Sequence, residues 1–427
     1  MIHWITDRIG TAARDLAAPT QGVYLLDVRD LLDRGGNSAA AMRCKLDQGI
    51  AALRAGQKVL VCCDEGISRS AVIAAGLLAQ FEGMPFDEAV RRVLNRPGEV
   101  GIRIELLSVM RAVLGQEHGP QRPSTGPSRR ILVTGGAGFI GSALVRTIGD
   151  RMQVSIPSRG ELDLREGSVP LDLWVRDWGI DTIVHLAHPR LYTSSRAMGE
   201  SVEMLRNVLD VAVHHRTYLV YLSSWEVFSG YESCGLRADE SLPPRPRGAD
   251  GEAKFLCESL IDLARVRHAL PVLVLRSGPV YGSGSARPRF MWTFLEKALE
   301  GREIVTHRYR NGFPTLDLMH VRDLCRGLAL ALERRTEGLL HLGTGRGIST
   351  AEIARWIVGR VGSRSPIRHE DVEGYAANIM MDTHLAREVL GWTAEIPIEQ
   401  GLEEILAVRG VPDAPGPGRD RIESEQS

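Results

Sequence analysis

The sequence predicts two successive α/β domains, the second built on a doubly wound parallel sheet. Three observations carry that prediction. An apolar strand runs through a glycine-containing loop into an apolar helix at "VLVCCDEGISRSAVIAAGLLAQ" (59–80). Pro, Gly, Ser and charged residues then interrupt the apolar periodicity at "GQEHGPQRPSTGPSRR" (115–130). Beyond this break, "RRILVTGGAGFIGSALVRTIG" passes from strand through a glycine turn to helix and opens a long alternation of strand and helix patterns. Such alternation favours parallel strands wrapped by helices, and 427 residues suit two or three domains at roughly 100 to 200 residues each.

In order along the chain, "GVYLLDV" and "KVLVCC" read as buried strands, and "SAAAMRCKLDQGIAALRAG" and "MPFDEAVRRVLNRP" as amphipathic helices. The expected boundaries are a first domain at 1–117, a tether at 118–129, a second domain at 130–410 and a disordered tail at 411–427. In the second domain "RILVTG", "DTIVHLA", "YLVYLSS" and "PVLVLRSGPV" read as its strands.

Charge narrows the partners. With 52 basic against 53 acidic residues, no global field draws the chain to nucleic acid or anionic membrane, and small molecules are the expected partners. The six cysteines (Cys44, Cys62, Cys63, Cys234, Cys257, Cys325) are scattered, with no paired CxxC spacing, so reduced thiols and no metal site are expected. The start "MIHWITDRIG" has no basic segment leading into a long apolar run, and no apolar stretch approaches the ~18 residues of a membrane span. A soluble, cytoplasmic protein is expected.

The first candidate site begins at Cys63, at the end of a strand. Asp64, Glu65, Gly66, Ile67, Ser68 and Arg69 follow it, then Ser70 and an apolar helix. A loop of this kind entering a helix aims several backbone N–H groups at one spot, and the helix dipole adds positive potential. That environment binds a phosphate dianion through the amides of residues 64–68 and keeps a central cysteine as thiolate. Arg69 can grip two phosphoryl oxygens in a bidentate fashion, and Ser70 can stabilise the sulfur as it leaves a phosphoenzyme.

The pattern CxxGxxRS at 63–70 resembles the signature of cysteine-dependent phosphatases, and "GISRSAVIAAGLLAQ" is similar to their dual-specificity branch. The resemblance covers about the first 117 residues. It implies attack of Cys63 on phosphorus and an aspartate on an upstream loop as general acid. The loop "LLDRGGNS" resembles that acid loop and nominates Asp33, with Asp30 and Asp27 as alternatives. The family's histidine before the nucleophile is here Cys62, which would alter the thiolate or serve as a resolving thiol.

The second candidate site is the glycine turn. Gly135 permits the tight turn, Gly138 lets the backbone approach a pyrophosphate, Gly141 allows close helix packing, and Phe139 and Ile140 open the helix beneath the phosphates. "TGGAGFIG" resembles the extended short-chain dehydrogenase/reductase family, the branch of NAD-dependent nucleotide-sugar epimerases, dehydratases and reductases. That implies a Rossmann fold with a small C-terminal substrate lobe, and an NAD or NADP cofactor. At the end of the second strand, "VSIPSRGELDL" has no acid for a ribose diol, whereas Ser158 and Arg159 could receive a 2′-phosphate, so NADP is favoured. By analogy Asp163 would approach the adenine.

Here the family pattern breaks. The resemblance places its serine at Ser224 in "LSSWEVFSG" and its lysine at Lys254, but Asp250 stands four residues before Lys254, where the tyrosine belongs. Tyr221, Tyr231 and Tyr281 lack the required spacing. A carboxyl with an ordinary pKa of about 4 is a poor acid at neutral pH; Asp250 could instead cap its helix. "SWEVF" resembles branch members with an auxiliary glutamate, here Glu226, although their partner aspartate falls at Trp225. Arg276, His320 and Arg346 are candidate substrate contacts.

The expected function is therefore bifunctional: phosphomonoester hydrolysis through Cys63, joined to NAD(P)-dependent modification of a phosphorylated or nucleotide-linked sugar. A homodimer is a further expectation of the resemblance. The alternative is a protein phosphatase regulated by a catalytically silent NAD(P)-binding sensor.

Overall fold

The computed structural model describes residues 2–17, 20–96, 100–116, 129–189, 194–285 and 288–411. The expected tether, except Arg129, and the expected tail beyond Val411 lie outside these residues. By internal contacts the chain divides into two units, one of Met1–Pro127 with Arg159–Ile180 and Arg206–His215, the other of Ser128–Ser158, Asp181–Leu205 and Arg216–Ser427.

The first unit holds a four-stranded sheet in the order His3–Trp4, Ile9–Ala13, Lys58–Cys63, Val23–Asp27. Lys58–Cys63 is parallel to both its neighbours and is buried from Val59 onward, which explains why its sequence is a continuous apolar run rather than an alternating one. Successive side chains of this strand still point to opposite faces. Val59, Val61 and Cys63 enter a large cluster with Leu46, Ile73, Leu77 and Met110, while Leu60 and Cys62 join a small one with Ala12 and Ala17. Each large apolar side chain buried in such a core contributes roughly 1.5–3 kcal/mol.

Helix Ala39–Arg54 starts where Ser38 Oγ accepts the Ala41 N–H at 3.1 Å, and helix Arg69–Glu82 stops at the left-handed Gly83. Helices Phe86–Leu94 and Ile104–Leu114 complete the packing. The grouping of 159–180 and 206–215 with this unit, which chain order does not suggest, coincides with a buried ion cluster. The Arg111 guanidinium is 2.8 Å from Asp172 Oδ2 and 2.9 Å from Asp87 Oδ1; His215 Nε2 is 2.7 Å from Asp172 Oδ1.

In the second unit six parallel strands are ordered Gly338–Leu342, Val272–Ser277, Tyr218–Ser224, Thr182–His185, Arg130–Thr134, Gln153–Ser155. The chain starts in Arg130–Thr134, moves outward to Gln153–Ser155, then returns to the other side at Thr182–His185. This reversal opens a crevice at the strands' carboxyl ends, where α/β sheets bind ligands. Helices Phe139–Ile148 and Val321–Arg334 pack together over a core of Ile131, Val133, Leu144, Val220, Leu324 and the fully buried Trp392.

Outside the six-stranded sheet the second unit carries smaller sheets. Ile304–Arg308 pairs with Ile367–Asp371, a second small sheet joins Ser233–Ala238 to Ala377–Met381, and Thr350–Arg360 begins with a capping box of Ser349 and Glu352. Among the described residues no helix is long and apolar enough to cross a membrane.

Candidate functional site

The loop after Lys58–Cys63 curls around the Cys63 sulfur. Gly66 N–H donates to Sγ at 3.2 Å, and Ser70 Oγ lies 3.3 Å from it. Burial alone would raise the Cys63 pKa, but hydrogen bonds from the Ser70 hydroxyl and from the Ser70, Gly66 and Ile67 amides outweigh it, and the thiol is held below its ordinary value. Gly66 is required: its φ is +76°, and a Cβ there would sit 2.5 Å from the Ala12–Ala13 backbone.

Arg69 donates to the Arg29 and Leu31 carbonyls at 3.1 Å each and to the Asp64 carboxylate. Its Nε and the Ser68 hydroxyl are buried with no hydrogen-bond partner. Buried polar groups are mostly satisfied; these two are among the exceptions, and both lie on the loop that curls around Cys63. Glu65 is exposed.

The three upstream aspartates separate by environment. The Arg29 side chain, outweighing partial burial, holds Asp27 down to about 2. Asp30 pairs with Lys45 at 2.8 Å. Among the described residues Asp33 makes no hydrogen bond or ion pair, yet its charge acts on Arg69. Cys62 is not a resolving thiol in this arrangement. It lies on the other face of the strand, in a different cluster, and burial pushes its thiol up to about 11.

At the glycine turn, Gly135 has φ +71° and a Cβ there would meet the Ala187 backbone at 2.8 Å; one on Gly141 would meet the Gly135 carbonyl oxygen at 2.3 Å. Helix Phe139–Ile148 starts at Gly138 with no side-chain cap and no acidic residue in its first turn, so its leading amides keep their positive end for an anion. These features fit a dinucleotide's pyrophosphate. Arg159 is exposed and its Nε donates to Asp163 at 3.2 Å, while Arg165 grips the same carboxylate at 2.6 Å. Arg165, then Arg159, hold Asp163 well below the usual carboxylate range despite partial burial.

Ser224 Oγ accepts the Glu226 N–H at 3.2 Å, and its neighbour Ser223 donates to Glu258. Lys254 Nζ donates to the Leu222 carbonyl at 2.7 Å and lies 4.9 Å from the Tyr221 ring centroid. Burial lowers the Lys254 pKa, although Asp250, Cys257, Glu258 and Glu226 pull the other way.

The nearby tyrosines do not fill the gap. Tyr221 is buried, hydrogen-bonded to Cys257, and its pKa is raised well above the ordinary value by burial. Tyr231 donates to the Pro243 carbonyl at 3.0 Å, and Tyr281 is buried against the Ile398 carbonyl. Asp250 is not the cap of its helix, which begins at Gly248 without one. It pairs instead with His188, a residue sequence reasoning did not single out, at 2.8 Å between Oδ1 and Nε2.

Two expected substrate contacts are corrected. Arg276 is 4% exposed and forked onto Glu258, with NH2 to Oε2 at 2.6 Å; it is a core ion pair. His320 is 2% exposed and its Nδ1 accepts the Arg322 N–H at 3.3 Å, capping the helix that follows. Arg346 is exposed. Asp172, His214 and His215 bring donor atoms within 4.8 Å of one another, but Arg111 and His215 occupy the two Asp172 oxygens and Ser108 lies 2.9 Å from His214.

An all-parallel sheet with a glycine turn at its switch point defines a dinucleotide-binding α/β domain. Residues 131–342 match the NAD dependent epimerase/dehydratase family. A dTDP-glucose 4,6-dehydratase of Streptomyces niveus is 28% identical over 313 residues, covering 65% of this chain and 91% of that protein. A putative UDP-glucose 4-epimerase of Methanocaldococcus jannaschii is 25% identical over 303 residues, covering 65% and 97%. Among solved structures, the Thermus thermophilus UDP-glucose 4-epimerase complex with NAD matches with TM-score 0.58 at 23% identity, over 66% of this chain and all of that one. That likeness concerns the fold.

Proposed function

We propose that the chain is a bifunctional enzyme. Its second domain carries out NAD(P)-dependent modification, of epimerase, dehydratase or reductase type, on a nucleotide-linked or phosphorylated sugar, and its first hydrolyses a phosphomonoester through Cys63. The sugar reading is supported by the family match at 131–342 and by relatives named for dTDP- and UDP-sugars. Gly135, Gly138, Phe139, Ile140 and Gly141 would hold the pyrophosphate, Ser158, Arg159 and Asp163 the adenosine end, and Lys254 the nicotinamide ribose. When bound, the nicotinamide supplies hydride transfer. NADP is favoured over NAD by Ser158 and the exposed Arg159, and comparing NADH and NADPH affinity in wild type and Arg159→Ala tests this.

The phosphatase reading is carried by one observation: the Cys63 sulfur held by the Gly66 amide and the Ser70 hydroxyl. The thiolate attacks phosphorus, the P–O ester bond breaks, and Asp33 gives its proton to the leaving oxygen. Water then attacks the phosphocysteine while Asp33 takes up its proton, and the Ser70 hydroxyl stabilises the departing sulfur. Arg69 and the loop amides hold the equatorial oxygens. Phosphate release from p-nitrophenyl phosphate by wild type, and its loss in Cys63→Ser, tests this; unchanged release in the variant refutes the nucleophile.

The family tyrosine's absence favours a second reading, a protein phosphatase governed by a silent NAD(P)-binding sensor. It requires NADPH to change phosphate release from phosphopeptides, with no sugar turned over.

A further inference from the structure

We propose that His188 and Asp250 together take the tyrosine's part, holding the exchangeable proton of the redox step. This rests on the NAD(P)-dependent sugar reading above. Asp250 lies in the first turn of helix Ala249–His268, one turn before Lys254 and on the same side of the helix. His188 follows strand Thr182–His185, past the glycine turn's contact at Ala187. The two side chains therefore meet at the carboxyl ends of the strands, beside the lysine that would hold the nicotinamide ribose.

The hydrogen-bond chemistry fixes what the pair carries. Nδ1 of His188 is 3.0 Å from the Pro189 carbonyl, which only accepts, so Nδ1 bears a hydrogen. Nε2 is 2.8 Å from Asp250 Oδ1, and a hydrogen bond there requires a second proton, on the ring or on the carboxyl. The pair thus stores one proton beyond neutral histidine and ionised aspartate. Its side chains are 27% and 14% exposed, reachable yet partly shielded from water. The titratable groups acting on this corner are Lys254, Glu226, Glu258, Cys257, Tyr221 and His185.

In the reducing direction the stored proton passes to the carbonyl oxygen as a hydride, with its electron pair, arrives from the reduced nicotinamide at the carbonyl carbon. The C=O bond becomes HC–OH, and water recharges the pair. In the oxidising direction the C–H bond would give its hydride to the oxidised nicotinamide, and the O–H proton would enter the pair in its neutral-histidine, ionised-aspartate form.

The test uses the full chain with NAD+ or NADP+ and a panel of UDP-glucose, dTDP-glucose and UDP-glucuronic acid, with NADH and NADPH binding followed by fluorescence. His188→Gln and Asp250→Asn are each expected to lower kcat roughly 10²–10⁴-fold. The double variant is expected to be no worse than the poorer single one, and the singles to lose one limb of the kcat–pH profile. KM and dinucleotide affinity stay within about threefold, as for a group acting mainly in the transition state. Asp250→Tyr placed on His188→Gln is expected to restore turnover, because it rebuilds the tyrosine–lysine spacing.

Turnover that survives both single variants overturns the relay and leaves the sugar reading standing. Collapse of dinucleotide binding in either single variant assigns the pair a structural role and also overturns the relay. A wild-type chain that binds NADH yet turns over none of the panel overturns the sugar reading, and the relay with it.

Discussion

Replacing Ser70 with alanine removes one defined hydrogen bond from the Cys63 sulfur, the 3.3 Å contact with the Ser70 hydroxyl. A hydrogen bond to a charged acceptor contributes about 1.5–3 kcal/mol, and one pKa unit corresponds to about 1.4 kcal/mol, so the Cys63 thiol should titrate about one to two units higher. The shift stays partial because the Gly66 and Ile67 amides still face the sulfur while burial continues to oppose ionisation. The assay is alkylation by iodoacetamide across a pH series, read by mass spectrometry on the peptide containing Cys63, with the exposed Cys44 and Cys234 as references for folded-chain reactivity. A midpoint that moves by less than about 0.3 unit, well below the energy of one such bond, or that moves downward, refutes the reasoning.

Three further outcomes are expected. Gly66→Ala should abolish orthovanadate binding measured by calorimetry, because its Cβ would strike the Ala12–Ala13 backbone. Asp64→Ala should tighten orthovanadate inhibition of phosphate release by roughly three- to tenfold, since the carboxylate holding Arg69 no longer competes with the anion. Arg111→Ala should destabilise the first unit by about 3–5 kcal/mol in urea, as expected when a buried charge loses its partner. There the Asp172 carboxyl is held down to about 2, with burial opposing and His215 and Arg111 outweighing it. Its contribution is therefore present above its unfolded pKa of about 4 and lost as pH falls from about 4 towards 2, and Asp172→Asn should flatten that limb of the stability curve.

What could be read from the chain was local. The strand Lys58–Cys63, the loop that follows it and the glycine turn at 135–141 are continuous segments whose residue types encode backbone geometry directly. The helices Ala39–Arg54 and Phe86–Leu94 announce themselves by period. Strand Ser233–Ala238, "SCGLRA", gives no such signal, because only its pairing with Ala377–Met381 makes it a strand. The misreadings at Arg276 and His320 share a cause: polar residues read as ligand contacts are sequestered by tertiary partners. His188 escaped notice because its partner is 62 residues further on, and a lone histidine after a strand has many uses. The signal that could have found it was the gap itself: with an aspartate where a proton donor was due, the search belonged among histidines near the strand ends. The opposed orientation of Cys62 and Cys63 was readable from strand alternation alone.

That last arrangement gives the chain a built-in fluctuation gauge. Two sulfurs separated by one peptide bond would react alike in a denatured peptide, but the fold holds one thiol below its ordinary pKa and seals the other beneath a second layer of small side chains. The ratio of adducts at 62 to adducts at 63 accordingly reports how often the first sheet opens, with no probe attached.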